Sequence, residues 1–434
     1  MLCLPVSHRS GGDSPANLVT APARGTGNGI IALCQVLIFA MDLFSQYQIG
    51  CIFMGIQPQN NLHNNHPLKL YGLDHLRALA IILVFLSHYS LLSHNKPGWL
   101  DDVAKFGWTG VDLFFVLSGF LISSQLFAQV KEQQPISFKT FFLKRFFRII
   151  PAYLAVLAIY FTIPYFHEKK GLAEGWRYLT FTQNFGLNLR ETRAFSHSWS
   201  LCVEEHFYLA LPLILLLFQK LQWLKKAGWL LAILFLLGFV TRIYSYEHFY
   251  EPVSQRPFSW PVWYEYIYYP TYNRLDGLLT GVTIAAVYRF LPNLWNRLSK
   301  YCNSFMAAGL ILLTAAWFLC EDQMTFTASA FGFPLVSIGY GCLVLAAVSP
   351  ANFLYKWNSG VTTFIATLSY AIYLTHKGVI HITGKWLSAQ KTDPHLEMLL
   401  TIFSCIVFAL ILHWAIEKPF MKLRDRVVNK KLAA

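Results

Sequence analysis

Charge is what this sequence has least of. Asp, Glu, Lys and Arg together make up 13% of the residues, about half the share of an ordinary soluble domain. Hydrophobic residues make up 55%. This imbalance excludes a soluble globular chain. Metal-binding cysteine spacing is missing as well. The eight cysteines, at 3, 34, 51, 202, 302, 320, 342 and 405, form no CxxC, and most lie in apolar runs where Cys is a small packing residue. There is no Walker sequence, no dinucleotide fingerprint and no internal repeat. No metal and no bound cofactor are therefore expected. The net charge of +13 would point to nucleic acid in a soluble protein. Here Lys and Arg gather in particular loops, which fits anchoring at a bilayer, and no nucleic-acid partner is expected.

What is present is a recurrence of long apolar runs. They predict an all-α, polytopic transmembrane bundle, because a β-barrel is written in short alternating strands instead. Ten spans are expected near 74–94, 110–129, 147–164, 198–219, 227–245, 271–290, 303–320, 330–349, 361–380 and 396–416. With the first span entering from the cytoplasm, the inside segments hold 20 Lys and Arg and the outside segments 12. That bias puts both ends of the core on the cytoplasmic side of a cell membrane, inner or plasma. Residues 1–70 read as an extension that is disordered or outside the core. Its apolar run 29–41 is too short to span, and it begins too late for a signal peptide. Met54 is a natural alternative start, so residues 1–53 are expected to be dispensable. The transmembrane domain is expected over 71–426, with 427–434 a cytoplasmic tail.

Arg77 and His88 stand out within the first run, LRALAIILVFLSHY. Eleven steps at about 100° bring them to one helix face, about 16 Å apart along the axis. An Arg at the edge of a span and a His on the same stripe near its far edge are costly, and mark a functional site. Other polar residues sort by membrane side. Arg145 and Arg148 open the third span as i,i+3 neighbours beside Lys144, a guanidinium fork suited to phosphates. On the opposite side lie His88, Asp112 at the opening of span two, and the stripe His197, Ser200, Glu204 and Tyr208 at the opening of span four. Glu204 is the better inward-facing carboxylate, since Glu205 neighbours Leu201, Cys202 and Leu209. Arg274 and Asp276 open span six. At i,i+2 they cannot face each other, so each needs a partner on another helix. Ser369, Tyr373 and His376 share a face near the close of span nine. Helix-gluing polar residues alone would spread over both ends of the spans. Convergence at one depth on one side points to an active site or substrate vestibule.

These motifs, in this order, resemble the integral-membrane acyltransferase-3 family, the O-antigen and exopolysaccharide O-acetyltransferases and their relatives. The resemblance rests on the Arg77/His88 spacing, GVDLFFVLSGFLIS, the RxxR of 145–148, SWSLCVEEHFY, RLDGLLTG, LSYAIYLTH and the closing EKPF of 417–420, and covers roughly residues 71–426. His206 is a departure, since the family more often has Gln there. The larger relatives append an extracytoplasmic hydrolase-like domain, whereas this sequence stops at 434.

The resemblance implies acyl-CoA, usually acetyl-CoA, as a co-substrate and a hydroxyl of a cell-surface polysaccharide, lipopolysaccharide or other glycolipid as acceptor. Acyl transfer to an alcohol needs a base near neutral pH, for which His88 is the natural choice. Asp112 or Glu204 is expected to fix its tautomer. Arg274, Asp276, Tyr373 and His376 are candidates on the acceptor or oxyanion side. Arg77, Arg145 and Arg148 would hold the CoA phosphates at the cytoplasmic face. Two rival classes are less well supported. A secondary transporter or acyl-group translocator would show repeats and broken helices at mid-membrane, and a scaffold would need no Arg/His stripe.

Overall fold

The computed structural model describes residues 70–432. The expectations placed on 1–53, on the run 29–41 and on the rest of the N-terminal extension up to residue 69 lie outside the described residues. Among those described, every regular element is helical and none is a strand. The longer helices are α1 (Tyr71–Leu92), α2 (Gly110–Lys131), α3 (Phe138–Thr162), α4 (Trp199–Lys220), α5 (Ala227–Ser245) and α6 (Asp276–Phe290). They continue with α7 (Pro292–Lys300), α8 (Cys302–Leu319), α9 (Phe333–Ala347), α10 (Gly360–Ser388), α11 (Pro394–Leu412) and α12 (Lys418–Leu432). The chain is a polytopic helical bundle, as its apolar runs predict.

Every predicted span coincides with a helix, and among the described residues seven of the helical segments are long and apolar enough to cross a membrane. Helices α3, α6 and α10 are not among the seven. Helix α6 has only 15 residues. Helix α3 carries Lys139, Lys144, Arg145 and Arg148, and α10 carries His376, Lys377, His381 and Lys385. The helices that fall short in length or apolarity are thus the ones that supply much of the polar chemistry described below.

Local sequence explains the helix starts. Ser137 accepts a hydrogen bond from Thr140 N at 3.3 Å and caps α3. Asp393 accepts from the backbone N–H groups of His395 and Leu396 at 2.9 and 3.2 Å, with Pro394 in the first turn of α11. Helices α2 and α6 approach closely through small residues. A Cβ at Gly281 would lie 2.2 Å from the carbonyl oxygen of Val116, and one at Gly119 would lie 2.2 Å from that of Leu278. The GLLTG of 277–281 is therefore a helix-packing device, with two glycines four residues apart on one face. Helix α1 packs along α10 and also against α2, while α12 folds back on α3.

Candidate active site

One end of the bundle gathers three histidines from distant parts of the chain. His88 lies near the end of α1, His376 lies within α10, and His197 sits in a single 3-10 turn, Ser196–Ser198, just ahead of α4. The loop before α4 is anchored by Glu168. Its buried carboxylate pairs with Lys377 Nζ at 2.9 Å and accepts hydrogen bonds from Tyr160 Oη at 3.1 Å and Phe195 N at 3.2 Å. Phe195 takes a left-handed conformation, φ 55°, and so turns the chain into His197. Lys377 also donates to Ser196 Oγ at 3.1 Å.

The hydrogen bonds fix the protons of two of these rings. His376 Nδ1 lies 2.8 Å from the carbonyl oxygen of Tyr373 and 3.1 Å from that of Ile372. Carbonyl oxygens only accept, so this nitrogen carries the proton. In the neutral ring Nε2 then accepts, and His88 Nδ1 donates to it at 2.9 Å. His88 Nε2 is left with its lone pair, the state a general base needs. His88 is half-buried, whereas His376 and His197 are buried. His197 lies with its ring 5.1 Å from that of His376 and 6.1 Å from that of His88.

The expected carboxylate partner of His88 is replaced by this histidine. Asp112 is occupied by Arg274 at 2.8 Å, and Glu204 accepts from Tyr208 Oη at 2.6 Å. Arg274 and Asp276 do find partners on other helices. Asp276 pairs with Arg242 of α5 at 2.7 Å. The Arg274 guanidinium is also enclosed by the rings of Trp199, Tyr268 and Phe333, at 5.2, 4.5 and 4.1 Å. All four charged groups are buried, so Arg274 and Asp276 face each other's ion pairs and not an open vestibule. Arg242, near the close of the expected span 227–245, belongs to this cluster.

A cavity of about 840 Å³ opens on the opposite end of the bundle. Arg77, Lys144, Arg145, Arg148, Arg289 and Arg424 line it. Arg77 has Asp74 at 3.6 Å, Arg145 lies over the Tyr208 ring at 5.2 Å, and Arg289 donates to Ser124 Oγ at 2.9 Å. Arg289 and Arg424 are not singled out by the sequence, because only folding brings α6 and α12 to one cavity with α3. Val428 also lines the cavity and is buried. The expected start of the tail at 427 lies within helix α12. Glu204, Tyr208, Ser200, Ser369 and Tyr373 line the same cavity, and Glu205 does not.

Cavity and histidines meet at Tyr373. Its hydroxyl donates to the carbonyl oxygen of His197 at 2.6 Å and accepts from Ser200 Oγ at 2.6 Å. His88 itself is absent from the cavity lining and is reached through His376, whose ring lies 5.9 Å from that of Tyr373. The structure thus joins Arg77, Arg145, Arg148, Glu204 and Tyr373 in one space, places His88 and His376 next to it, and holds Asp112, Arg274 and Asp276 apart. His206 faces elsewhere, with Nδ1 2.8 Å from Thr271 Oγ1 and its ring stacked on Phe185.

The family described as "Acyltransferase domain", the acyltransferase-3 group, matches residues 70–416. The chain is 30% identical over 378 residues to a peptidoglycan O-acetyltransferase, OatA, of Listeria monocytogenes, which covers 81% of this chain and 56% of that protein. It is 25% identical over 374 residues to the O-acetyltransferase OatA of Staphylococcus aureus, with coverage of 82% and 58%. The chain thus spans little more than half the length of these relatives. No solved structure matches it significantly.

Proposed function

The chain belongs to the integral-membrane acyltransferase-3 family, and from that premise we propose that it is an O-acyltransferase of the cell membrane. It takes acetyl from acetyl-CoA on the cytoplasmic side and esterifies a hydroxyl of a cell-surface glycan or glycolipid on the other. The relative from Listeria is named for peptidoglycan, and a sugar hydroxyl of any such polymer presents the same nucleophile.

One observation carries the reading. A single cavity has six cationic side chains along its lining and runs to Ser200 and Tyr373, directly against the histidine cluster. The cations suit the phosphates of CoA, and guanidiniums suit them best because their planar fork binds phosphate in bidentate fashion. The pantetheine arm is of the same scale as the roughly 16 Å from Arg77 to His88 along α1. It would carry the thioester from the basic end to the histidines without the donor leaving the cytoplasmic side.

The chemistry follows from the proton positions. His88 Nε2 removes the proton from the acceptor hydroxyl as its oxygen attacks the thioester carbonyl carbon. A C–O bond forms, and the carbonyl electron pair moves to oxygen. Collapse breaks the C–S bond, and the departing thiolate takes the proton back from His88 as CoA thiol. His376, accepting from His88 Nδ1, holds the ring in the productive tautomer and shares the positive charge as it forms, a part more often played by a carboxylate.

The test is direct. Membranes containing the chain are incubated with labelled acetyl-CoA and with isolated peptidoglycan, capsular polysaccharide and lipopolysaccharide. An alkali-labile acetyl ester on one of these is expected. Label crossing the membrane with no ester formed would overturn the enzyme and favour a translocator.

A further inference from the structure

We propose that a second cavity, at the end of the bundle that holds the histidines, binds a sugar unit of the acceptor polymer other than the one being esterified; the inference rests on the reading above. The cavity measures about 410 Å³, the scale of a small-ligand site. Asn188, Arg190, His248, Phe249, Glu265 and Tyr266 supply its polar and aromatic walls. None of them belongs to the histidine cluster or lines the basic cavity.

Two connections between helices build this site. Residues 163–198 lead from the close of α3 to the opening of α4, and residues 246–275 lead from the close of α5 to the opening of α6. The first carries His197, and the second carries Arg274, which pairs with Asp112 at the opening of α2. Polar contacts stitch the two together. Asn184 Nδ2 donates to the carbonyl oxygen of Tyr269 at 3.1 Å and to Thr271 Oγ1 at 2.9 Å. Arg193 lies over the Trp260 ring at 4.9 Å, and Arg190 Nη2 donates to the carbonyl oxygen of Phe258 at 3.3 Å.

The backbone is irregular where the walls form. Tyr246–Tyr250 and Tyr264–Tyr268 each widen into a π turn, the second closed by Tyr269 N donating to Tyr264 O at 2.9 Å. Such turns are frequent at functional sites. One supplies His248 and Phe249, the other Glu265 and Tyr266. Phe258, whose carbonyl Arg190 holds, has φ 60° and an exposed ring. Bulky residues keep that conformation only where their surroundings enforce it.

The lining chemistry is that of a saccharide site. A pyranose has C–H faces that pack on aromatic rings and a rim of hydroxyls that both donate and accept. The exposed Phe249 and half-buried Tyr266 stack at 4.4 Å and 16°, forming one aromatic surface. Beside it, Arg190 and Asn188 bring donors, and Glu265, which takes the Tyr266 hydroxyl, brings acceptor oxygens. His248 Nδ1 gives its proton to the carbonyl oxygen of Tyr244 at 3.1 Å, so Nε2 of the neutral ring accepts. The Arg190 and Glu265 charges offset each other. A phosphate would meet the carboxylate here, whereas the basic cavity offers it six cations. An uncharged sugar fits and a phospholipid headgroup does not. Because polymer units are covalently linked, holding one raises the local concentration of its neighbours at the histidines.

The full chain in lipid nanodiscs tests this with soluble peptidoglycan strands, capsular polysaccharide and lipopolysaccharide. Binding is measured without donor, and ester formation with labelled acetyl-CoA, in wild type, Phe249→Ala and Glu265→Gln. Wild type should bind, without donor, the polymer that it acetylates. Each variant should raise the KM for that polymer about tenfold or more, the scale of a lost aromatic or charged hydrogen-bonding contact. The KM for acetyl-CoA and kcat at saturating polymer should stay within about twofold, and a disaccharide of the same polymer should react as it does with wild type. A smaller rise in either variant would overturn the inference. So would equal loss on polymer and disaccharide, or failure to fold, since both make these side chains structural. An effect that follows the anionic-lipid content of the nanodisc would overturn it in favour of a headgroup site. A wild type that binds polymer through these side chains yet forms no ester would keep the binding site and remove the acyltransferase reading. Ester formation indifferent to both variants would do the reverse.

Discussion

His88 Nδ1 donates to His376 Nε2 across 2.9 Å, so a histidine of α1 is oriented by a histidine of α10. The pair separates two jobs. His88 keeps a free lone pair on its half-buried side, and His376 is pinned to its own backbone. His88→Ala should reduce acyl transfer by about 10²–10⁴-fold, the range for a lost general base, with acetyl-CoA binding unchanged. His376→Ala should cost less, roughly tenfold or more, because it releases the ring without removing it. Turnover and donor binding measured on the same preparations decide. More than about a tenth of the activity in His88→Ala would make that histidine structural.

Arg145 and Arg148 line the basic part of the cavity, where the proposed function places the donor. Arg145→Ala and Arg148→Ala should each weaken acetyl-CoA binding, with kcat at saturating donor changed less than KM. Lys at either position should restore only part, since an ammonium lacks the planar fork. Arg424→Ala should act in the same direction, because this residue lines the same cavity from α12. Calorimetric titration with CoA measures all three. Wild-type affinity in both RxxR variants would reduce that motif to a topology signal.

The two ion pairs Asp112–Arg274 and Arg242–Asp276 should behave as structural units. Asp112→Ala leaves the Arg274 guanidinium buried and uncompensated, at a cost of about 3–5 kcal/mol. Removing both partners together, as Asp112→Ala with Arg274→Met, should be milder than the sum of the single losses. Thermal unfolding in detergent reads the cycle. Strict additivity would mean that the two side chains do not stabilise each other.

Sidedness ties the donor end to the histidine end. The loop charges favour a cytoplasmic position for Arg145 and Arg148, and the eleven-residue step along α1 then puts His88 toward the other face. In oriented vesicles, acetyl-CoA supplied only to the cytoplasmic side should suffice, with the ester forming on glycan outside. In a background without native cysteines, His88→Cys should react with an impermeant thiol reagent only from the outer side. Labelling from the cytoplasmic side would invert the topology and remove the through-membrane route.

Much of this was legible in the sequence because it is local. Apolar runs dictate helices, since in a bilayer every backbone N–H and C=O must be satisfied within the segment. Helical spacing puts Arg77 and His88 on one face, makes RxxR a fork, and aims Glu204 inward. The same spacing shows that Arg274 and Asp276 cannot pair with each other and must look to other helices. What spacing cannot name is the partner. Asp112 meets Arg274 across 162 positions, and His88 meets His376 across 288. Asp112 reads as a histidine's carboxylate from its place at a span opening, yet close packing of α2 on α6 delivers it to a guanidinium instead. Arg242, Arg289 and Arg424 look like ordinary loop and interface charges until α5, α6 and α12 pack, and His197 looks like one more residue of a polar stripe. Helix faces follow from the chain's own periodicity. Which face meets which is decided by packing between helices, and only the tertiary structure pairs these charges.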